Sequence, residues 1–149
     1  MHIREALPSD AADLMDLYRN HLTQHPPEEE PPLSEWEAML AGFEADPGYH
    51  LLVGEVDGRV VCSVTVVVIR NLTHGLRPYS VIENVVTHAD FRKRGLASQL
   101  LEASVSIARE AGCYKVMLMT GSKQESTLKF YRENGFRTDL KTAFLRPLP

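Results

Sequence analysis

A short basic run has the residue types of an anion-binding site. It reads Arg92-Lys93-Arg94-Gly95-Leu96-Ala97, and a helical pattern starts at its glycine. The start of a helix exposes unpaired backbone N–H groups and the positive end of the helix dipole, and a glycine lets the backbone approach a bulky anion. The run therefore predicts a site for a phosphate or a pyrophosphate, with a solvated basic helix start as the alternative.

The same run differs from the common nucleotide-binding motifs. A Walker loop needs a lysine followed by serine or threonine after the glycine, and a dinucleotide-binding fold needs the pattern GxGxxG. The run has neither, and it offers no carboxylate for magnesium. A protein that uses this run to bind ATP is therefore a disfavoured alternative.

The run must be positioned by the segments on either side of it. β-rich residues predict a strand over Tyr79–Thr87, directly before the run. Apolar residues at helical spacing predict a helix over Leu96–Ala111, and Gly112 follows as a C-terminal stop. The sequence thus places the basic run in the turn between a strand and a helix.

The remaining segments complete a mixed order of strands and helices. Further strands are expected over Ile3–Leu7, Leu51–Val56, Arg59–Ile69, Tyr114–Thr120 and the tail Phe136–Leu145, and further helices after Pro8-Ser9-Asp10, from Ser34 to Glu44 and over Glu125–Glu133. Asp57-Gly58 indicates a hairpin, and Ser34-Glu35-Trp36-Glu37 has the pattern of a capping box. The order β-α-α-β-β-β-α-β-α-β predicts an α/β fold (an α+β mixed sheet) with helices on the faces of the sheet.

Length and charge limit the classes of function. The chain has 149 residues and a formal net charge of −4. That length predicts one domain over residues 1–149, and the acidic balance argues against nucleic acid as the main partner. No apolar stretch approaches the roughly 20 residues of a membrane span, and the N-terminus has no signal pattern. We therefore expect a cytoplasmic protein without nucleic-acid or membrane partners.

The cysteines and histidines show no pattern of a metal site. Cys62 and Cys113 do not form a CxxC motif, and each lies in or beside an apolar run, so both are predicted to be buried free thiols. The six histidines show no HxH or HExxH spacing, so we expect no metal. His88 is interpreted as a loop residue.

Residues 79–97 and 113–136 together resemble the GNAT superfamily of N-acetyltransferases. Its core signature, Arg/Gln-x-x-Gly-x-Gly/Ala, is matched by Arg92, Gly95 and Ala97. The strand before the signature (IENVVT) and the later segment FYRENGF also have the family's form. The resemblance implies a GNAT-like acyl-CoA N-acyltransferase fold, acetyl-CoA as co-substrate without a metal, and a homodimer.

The resemblance further implies that acetyl-CoA is held largely by backbone groups. Amides over residues 92–98 would hold the pyrophosphate, and Val85–Thr87 would pair with the pantetheine arm as an added strand. A backbone N–H near Val85 would polarise the thioester carbonyl. The implied binding residues are Val85, Val86, Thr87, Arg92, Lys93, Arg94, Gly95, Leu96, Ala97, Ser98 and Gln124. Gln124 stands where the family often has asparagine.

Two residues are candidates for proton transfer. Acetyl transfer needs a neutral amine and a protonated leaving thiol, but no covalent intermediate, because the thioester is already activated. Glu83 is the candidate base, acting directly or through a water, since desolvation in its apolar strand would strengthen it; alternatively, it faces solvent. Tyr131 is the candidate acid because the matching tyrosine of the family commonly lies near the CoA sulfur; alternatively, it is a core aromatic.

The amine acceptor is less well defined. The family builds acceptor sites from the first helices, their loop and the fourth strand. Arg70, His74 and Arg77 could recognise a phosphate or phosphonate there, whereas Glu28–Glu30 in the proline-rich loop could attract a cationic amine. The chain looks similar to glucosamine-phosphate and aminoalkylphosphonate N-acetyltransferases, which favours a small primary amine with an anionic phosphorus group.

Two other functions remain open. A peptide or protein N-acetyltransferase keeps the fold and changes the acceptor. A non-catalytic acyl-CoA-binding module would bind the donor and turn over no amine.

Overall fold

Five strands form one mixed sheet in the computed structural model of the protein, which describes residues 1–148. The strands are β1 (His2–Glu5), β2 (Tyr49–Val56), β3 (Arg59–Ile69), β4 (Tyr79–Thr87) and β5 (Val116–Leu118), in that spatial order. Strands β1 to β4 pair antiparallel with their neighbours, and β5 joins β4 in parallel. The predicted mixed sheet of an α/β fold is confirmed.

Four α-helices lie along the described chain. They are α1 (Ala11–Leu17), α2 (Leu33–Glu44), α3 (Leu96–Glu110) and α4 (Glu125–Glu133). A 3-10 turn over Pro8–Asp10 leads into α1, and a π turn over Tyr18–Leu22 continues it. The helix from Ser34 and the helix from Leu96 are thus present as expected, and Gly112 follows α3 with a φ of +75°.

The capping box predicted at Ser34 is wrong. Helix α2 begins one residue earlier, at Leu33, and Pro32 occupies the N-cap position without a side-chain hydrogen bond in the described structure. Proline has a φ suited to a helix start and no N–H to satisfy, so it can precede the first turn. Ser34 therefore lies inside the first turn, where it cannot act as the cap.

One face of the sheet packs against α1 and α2. Its buried strand residues are Leu51, Val53, Val60 and Val86, and they form one apolar cluster with Ala11, Leu14, Leu17 and Leu40 of the helices. These strand positions lie opposite one another across the sheet, since Val53 pairs with Ser63, which in turn pairs with Val86. We call this side of the sheet the α1 face.

Helix α3 packs against β2, β3 and β4 from the other side. Successive side chains of a strand point to opposite faces, so the buried residues that alternate with those of the α1 face point toward α3. They include Leu52, Val64, Val66 and Ile82, and α3 contributes buried Leu100, Leu101 and Ala108. Two apolar layers therefore enclose the sheet and fix the start of α3 near the end of β4.

The chain divides into two compact units, residues 1–119 and the part from Thr120 onward. The first unit holds the sheet and α1 to α3. The second holds α4, an amphipathic helix in which no described residue is fully buried. No helix in residues 1–148 combines the length and the apolar character that crossing a membrane requires.

The strand predicted over Phe136–Leu145 is wrong. The described residues of the tail form no strand, and its large apolar side chains, such as Phe144 and Leu145, are exposed. A strand is stable only when a neighbour accepts and donates its backbone hydrogen bonds, and none does so here. Arg137 instead forms a local ion pair with Asp139. Strand β5 is also shorter than expected, at three residues.

Candidate functional site

The start of α3 has the open backbone groups that the basic run predicts. Gly95 occupies the N-cap position in the left-handed conformation, with a φ of +74°. Within the described residues no side chain caps this helix, and its first turn holds no acidic residue. The N–H groups of Leu96, Ala97 and Ser98 are thus left to solvent or to a ligand, and together with the helix dipole they favour an anion.

Arg92 uses its side chain to hold the backbone rather than to project into solvent. Its Nε donates to the carbonyl oxygen of Thr87 at 3.1 Å, and its Nη2 donates to that of His21 at 3.4 Å. Arg94 lies over the ring of Phe91, 4.9 Å from the ring centre, and Lys93 is exposed. The positive charge stays beside the start of α3, but only Lys93 and Arg94 can turn toward a ligand without breaking these bonds.

The pairing of β4 with β5 ends at Ile82, in the strand that leads to this helix start. Their pairing covers only Ser80–Ile82 against Val116–Leu118. Beyond Ile82, no strand of the described residues pairs with β4 on that side, whereas β3 continues to pair with it up to Thr87. Backbone groups of residues 83–87 that point away from β3 can therefore accept an extended ligand with amide groups.

A bulge in β4 lies at the point where the strands part. Thr65 pairs with Glu83 and Ser63 pairs with Val86, so that two residues of β4 stand opposite Val64. One of these two, Asn84, has a φ of +54°. An extra residue bends a strand and redirects the backbone groups around it, a change often found next to active sites.

The structure corrects the expected burial of Glu83. Its side chain is exposed, not enclosed in an apolar strand. Because Glu83 stands opposite Thr65 across the β3–β4 pair, it lies on the α1 face of the sheet. The predicted base is therefore accessible to an amine approaching from the side of α1 and α2.

A row of hydroxyl groups that sequence reasoning missed lies on the same face. The hydroxyl of Tyr18 lies 3.3 Å from that of buried Ser63, and the hydroxyl of Thr65 interacts with both Tyr18 and Tyr49. Burial raises the pKa of both phenols, so both are neutral at pH 7. The available signal was the pair Ser63 and Thr65, two polar residues at alternate positions of an otherwise apolar strand.

Two histidines meet where the π turn approaches the loop after β4. The rings of His21 and His88 lie 4.1 Å apart. Nδ1 of His21 accepts the backbone N–H of Ala89 at 3.3 Å, and Nδ1 of His88 accepts that of Asp90 at 3.2 Å. The chain separates the two residues too widely for any spacing rule to connect them. We call residues 88–95 the donor loop, because they lead into the helix start at which the sequence predicts binding of the acetyl donor.

The carboxylate of Asp16 joins the two imidazoles, with one potential ligand atom of each residue within 4.8 Å of the others. A metal ion needs a nitrogen lone pair from each imidazole. Here both Nδ1 lone pairs accept backbone N–H groups, which leaves the neutral ring proton on each Nε2. The grouping is therefore a set of hydrogen-bonded histidines and not a preformed metal centre.

Three of the residues expected to contact an acceptor make contacts within the protein instead: Arg77, His74 and Glu30. The guanidinium of Arg77 donates to the carbonyl oxygens of Gly112 and Cys113 at the C-terminal end of α3. His74 stacks on Tyr114, with 3.8 Å between the ring centres. Of the three glutamates, Glu30 pairs with Arg19 at 3.0 Å. Arg70 is exposed. Arg77 and His74 thus have structural contacts that sequence alone did not show.

Gln124 and Tyr131 belong to the second unit. Gln124 is exposed at the N-cap position of α4, where its carbonyl accepts the N–H groups of Thr127 and Leu128. Tyr131 is half-buried on α4, with its ring near those of Phe130 and Phe136. The ring of Tyr131 is thus part of an aromatic cluster with Phe130 and Phe136.

The two cysteines differ in burial. Cys62 is fully buried, and burial raises the pKa of its thiol to about 11. This confirms the predicted buried thiol. Cys113 is a free thiol as predicted, but it is only partly buried, so the predicted burial is wrong for it.

The sequence matches a known family profile over most of its length. The profile described as "Acetyltransferase (GNAT) family" matches residues 12–136. Among curated proteins, the glucosamine 6-phosphate N-acetyltransferase of Trypanosoma brucei brucei is 33% identical over 140 residues, which cover 92% of this chain and 89% of the relative.

Solved structures agree with this match. A protein of Agrobacterium tumefaciens strain C58 that is considered an acetyltransferase is 35% identical, with a TM-score of 0.89 and coverage of 99% of this chain and 100% of that one. The glucosamine-6-phosphate N-acetyltransferase of Arabidopsis thaliana is 19% identical, with a TM-score of 0.84 and coverage of 99% and 97%. At that identity the second likeness concerns the fold alone.

Proposed function

Since the chain belongs to the GNAT acetyltransferase family and is an acyltransferase, we propose that it moves the acetyl group of acetyl-CoA to a small primary amine bearing a phosphate. Glucosamine 6-phosphate is the first candidate acceptor. The observation that carries the proposal is the uncapped start of α3 at Gly95, beside strand residues 83–87 whose outer backbone groups lack a strand partner in the described structure.

The donor would be bound in two parts. The free N–H groups of Leu96–Ser98, with Lys93 and Arg94 close by, suit a pyrophosphate. Outer backbone groups within Val85–Thr87 suit the amides of a pantetheine arm, since both offer alternating donors and acceptors. The carbonyl oxygen of Thr87 already accepts Nε of Arg92. An N–H near Val85 would then stabilise the negative charge that develops on the thioester oxygen.

The transfer itself requires two proton movements. The amine gives up a proton to Glu83, directly or through a water, and its nitrogen forms a bond to the acetyl carbon. The carbon–sulfur bond breaks, and the CoA thiolate takes a proton from the Tyr131 hydroxyl. Glu83 lacks the desolvated surroundings from which the sequence predicted a base, but its exposure on the α1 face leaves the carboxylate reachable by the amine. The role of Tyr131 rests on the family resemblance.

The acceptor would lie on the α1 face near Glu83. The hydroxyl row of Tyr18, Ser63, Thr65 and Tyr49 supports this placement, because uncharged hydroxyls donate and accept hydrogen bonds as a sugar or another polar amine requires. The likeness to a glucosamine 6-phosphate N-acetyltransferase favours a phosphorylated amino sugar among such amines. Exposed Arg70 is then the available cation for the phosphate.

An assay of acetyl-CoA-dependent thiol release tests the proposal. The panel contains glucosamine 6-phosphate, glucosamine, an aminoalkylphosphonate, a polyamine, an aminoglycoside and a peptide with a free N-terminus. We expect the highest kcat/KM for glucosamine 6-phosphate, and a loss of at least about tenfold when its phosphate is removed.

The other outcomes separate the alternatives. Preferred turnover of the peptide would favour a protein N-acetyltransferase and overturn the small-amine proposal. Tight acetyl-CoA binding without turnover of any amine would favour a binding module. Stabilisation by ATP but not by acetyl-CoA in a thermal-shift measurement would reject the donor site itself, because a ligand stabilises the state that binds it.

A further inference from the structure

His21 links the first helical segment to the donor loop through two hydrogen bonds. Its Nδ1 accepts the N–H of Ala89 at 3.3 Å, and its carbonyl oxygen accepts Nη2 of Arg92 at 3.4 Å. Arg92 in turn holds the end of β4 through Thr87 at 3.1 Å. His21, in the π turn, thus accepts hydrogen bonds from Ala89 and Arg92, two residues of the donor loop that leads to the open start of α3.

The bond to Ala89 exists in only one protonation state of His21. A backbone N–H can only donate, so Nδ1 must carry its lone pair, and the neutral ring has its proton on Nε2. When Nδ1 takes up a proton, two N–H groups face each other and the bond is lost. The ring of His88 lies 4.1 Å away and has the same arrangement with Asp90, so a charge on one imidazole also opposes a charge on the other.

We propose that His21 is a positioning residue for the donor loop, and that neutral His21 holds this loop in the form that binds the phosphates of an acyl-CoA. Protonation of His21 releases Ala89 and weakens the hold on Arg92, so the affinity for the donor falls in acid. This inference rests on the proposed donor site at the start of α3. It concerns binding of the donor and assigns His21 no contact with the reacting atoms.

The charged groups around His21 act in both directions. From the donor loop, His88 and Arg92 oppose a positive charge on His21, and Asp90 favours it. From α1, Asp16 favours it, although its carboxylate also lies 3.7 Å from Arg59 and accepts a bond from Asn20. Desolvation is the largest influence, and the pKa of His21 is lowered.

The lowered pKa of His21 determines how the hydrogen bond to Ala89 depends on pH. The folded protein releases the His21 proton more readily than the unfolded chain, whose histidines have a pKa of ~6.5. The neutral ring and its bond to Ala89 are therefore complete above pH ~6.5. They are lost as the pH falls from that value through the lower pKa of the folded state. The affinity for coenzyme A should follow the same course.

Calorimetric titration with coenzyme A at pH 7.5 and pH 5.5 tests the inference in three variants of the full chain. His21→Asn keeps an acceptor near the position of Nδ1 and removes the titration. His21→Leu removes the acceptor at both pH values. His2→Asn, on β1, is the control, because it makes the same change at an exposed histidine of the first strand.

We expect wild type and His2→Asn to lose more affinity between pH 7.5 and pH 5.5 than His21→Asn does. The limit is about fivefold, as for loss of one hydrogen bond, and it is reached once His21 is fully protonated. Titration of the coenzyme's own phosphates is common to all variants and cancels in this comparison. His21→Leu should bind about fivefold more weakly than wild type already at pH 7.5. The melting temperature of each variant at both pH values shows whether it is folded.

Three results would overturn the inference. The first is an equal pH dependence in wild type and His21→Asn. The second is wild-type affinity in a folded His21→Leu variant at pH 7.5. The third is abolition of the pH effect by a chelator, which would reveal a metal between the imidazoles. Absence of coenzyme A binding by wild type at pH 7.5 is a different result, because it rejects the proposed donor site rather than the role of His21.

Discussion

At the scale of the residue, the site depends on a few side chains whose contacts define what each can do. Arg92 is bound to two carbonyl oxygens, and Glu83 is open to solvent on the α1 face. Gly95 adopts a backbone conformation that other residues reach only at a cost. Substitutions at these positions therefore test separate parts of the proposed reaction.

Tyr131→Phe removes only a hydroxyl group. If the phenol protonates the leaving thiolate, kcat should fall by about 10²- to 10⁴-fold, the range typical of general acid catalysis. The affinity for coenzyme A should change little, because the ring and its contacts with Phe130 and Phe136 remain. Steady-state kinetics and calorimetric titration measure the two quantities. An unchanged kcat would remove Tyr131 from the mechanism.

Gly95→Val should weaken coenzyme A binding at least about tenfold, because a β-branched residue does not tolerate the left-handed conformation and would shift the amides that face the ligand. Gly112→Val is the matched control. Gly112 has a φ of +75° at the opposite end of α3, and for both glycines an added Cβ would meet no described atom within 4 Å.

Both variants should lose stability by about 1–2 kcal/mol in urea unfolding, because both place valine in a left-handed conformation. Only Gly95→Val should lose affinity in calorimetric titration. Equal affinities in the two variants would show that the start of α3 does not hold the donor.

At the scale of the element, the β2–β3 hairpin supports the site because it carries Tyr49, Ser63 and Thr65 of the hydroxyl row and pairs with β4. Its close packing depends on Gly54, whose added Cβ would lie 2.4 Å from Sγ of Cys62 and 2.5 Å from Sδ of Met1. Contacts that short force side chains or backbone to move. A larger residue at this position is therefore expected to destabilise the hairpin.

Gly54→Ala should lower the free energy of unfolding by about 1–3 kcal/mol through overpacking. Gly42→Ala in α2 makes the same chemical change, but its Cβ would meet no described atom within 4 Å. That control should be neutral or should gain up to about 1 kcal/mol, since alanine favours a helix more than glycine does. Urea unfolding followed by circular dichroism measures both, and equal effects would contradict the role of Gly54.

Agreement between sequence and structure was good where local patterns decide an element. The strand Tyr79–Thr87 and the helix Glu125–Glu133 have the predicted bounds, and Asp57-Gly58 joins two strands. Predictions were wrong where residues distant in the chain determine strand pairing or burial. The tail Phe136–Leu145 has no strand partner in the described structure, and the side chain of Glu83 is exposed on the α1 face. Neither outcome is encoded in the segment itself.

The candidate site also combines features that local sequence patterns predict with features that only the fold reveals. The run from Arg92 to Ala97 predicted an anion site, and the structure shows a helix start that suits one. The contact of His21 with Ala89 and that of Tyr18 with Ser63 join residues far apart in the chain. Such pairs arise from the fold as a whole, so spacing rules could not find them.

At the scale of the whole molecule, a partly buried ion-pair group connects the first strand to the rest of the unit formed by residues 1–119. Arg4 on β1 donates to both carboxylate oxygens of Asp10, at 2.7 and 2.9 Å, and to Glu55 on β2. The hydrogen bond from Arg4 is the largest cause that lowers the pKa of Asp10. The folded state therefore favours the ionised carboxylate of Asp10.

This lowered pKa predicts a loss of stability in acid. Because the pKa of Asp10 is lower in the folded state, its contribution is present above the unfolded value of ~3.9 and is lost as the pH falls toward the folded value. Arg4→Gln should lower the free energy of unfolding at pH 7 by about 1–3 kcal/mol and flatten the decline below pH ~4. Chemical unfolding between pH 3 and pH 7 measures this, and a parallel decline in both proteins would contradict it.

The short pairing of β4 with β5 has a consequence beyond the binding of a ligand. Where β4 continues beyond β5, its side away from β3 is an unpaired strand edge in the described structure. Such edges attract strands of other molecules and seed aggregation. Asn84, with its positive φ, twists part of this edge out of the flat form that foreign strands require. Coenzyme A would cover the remainder, so protein purified without it should aggregate sooner on concentration than protein kept with it.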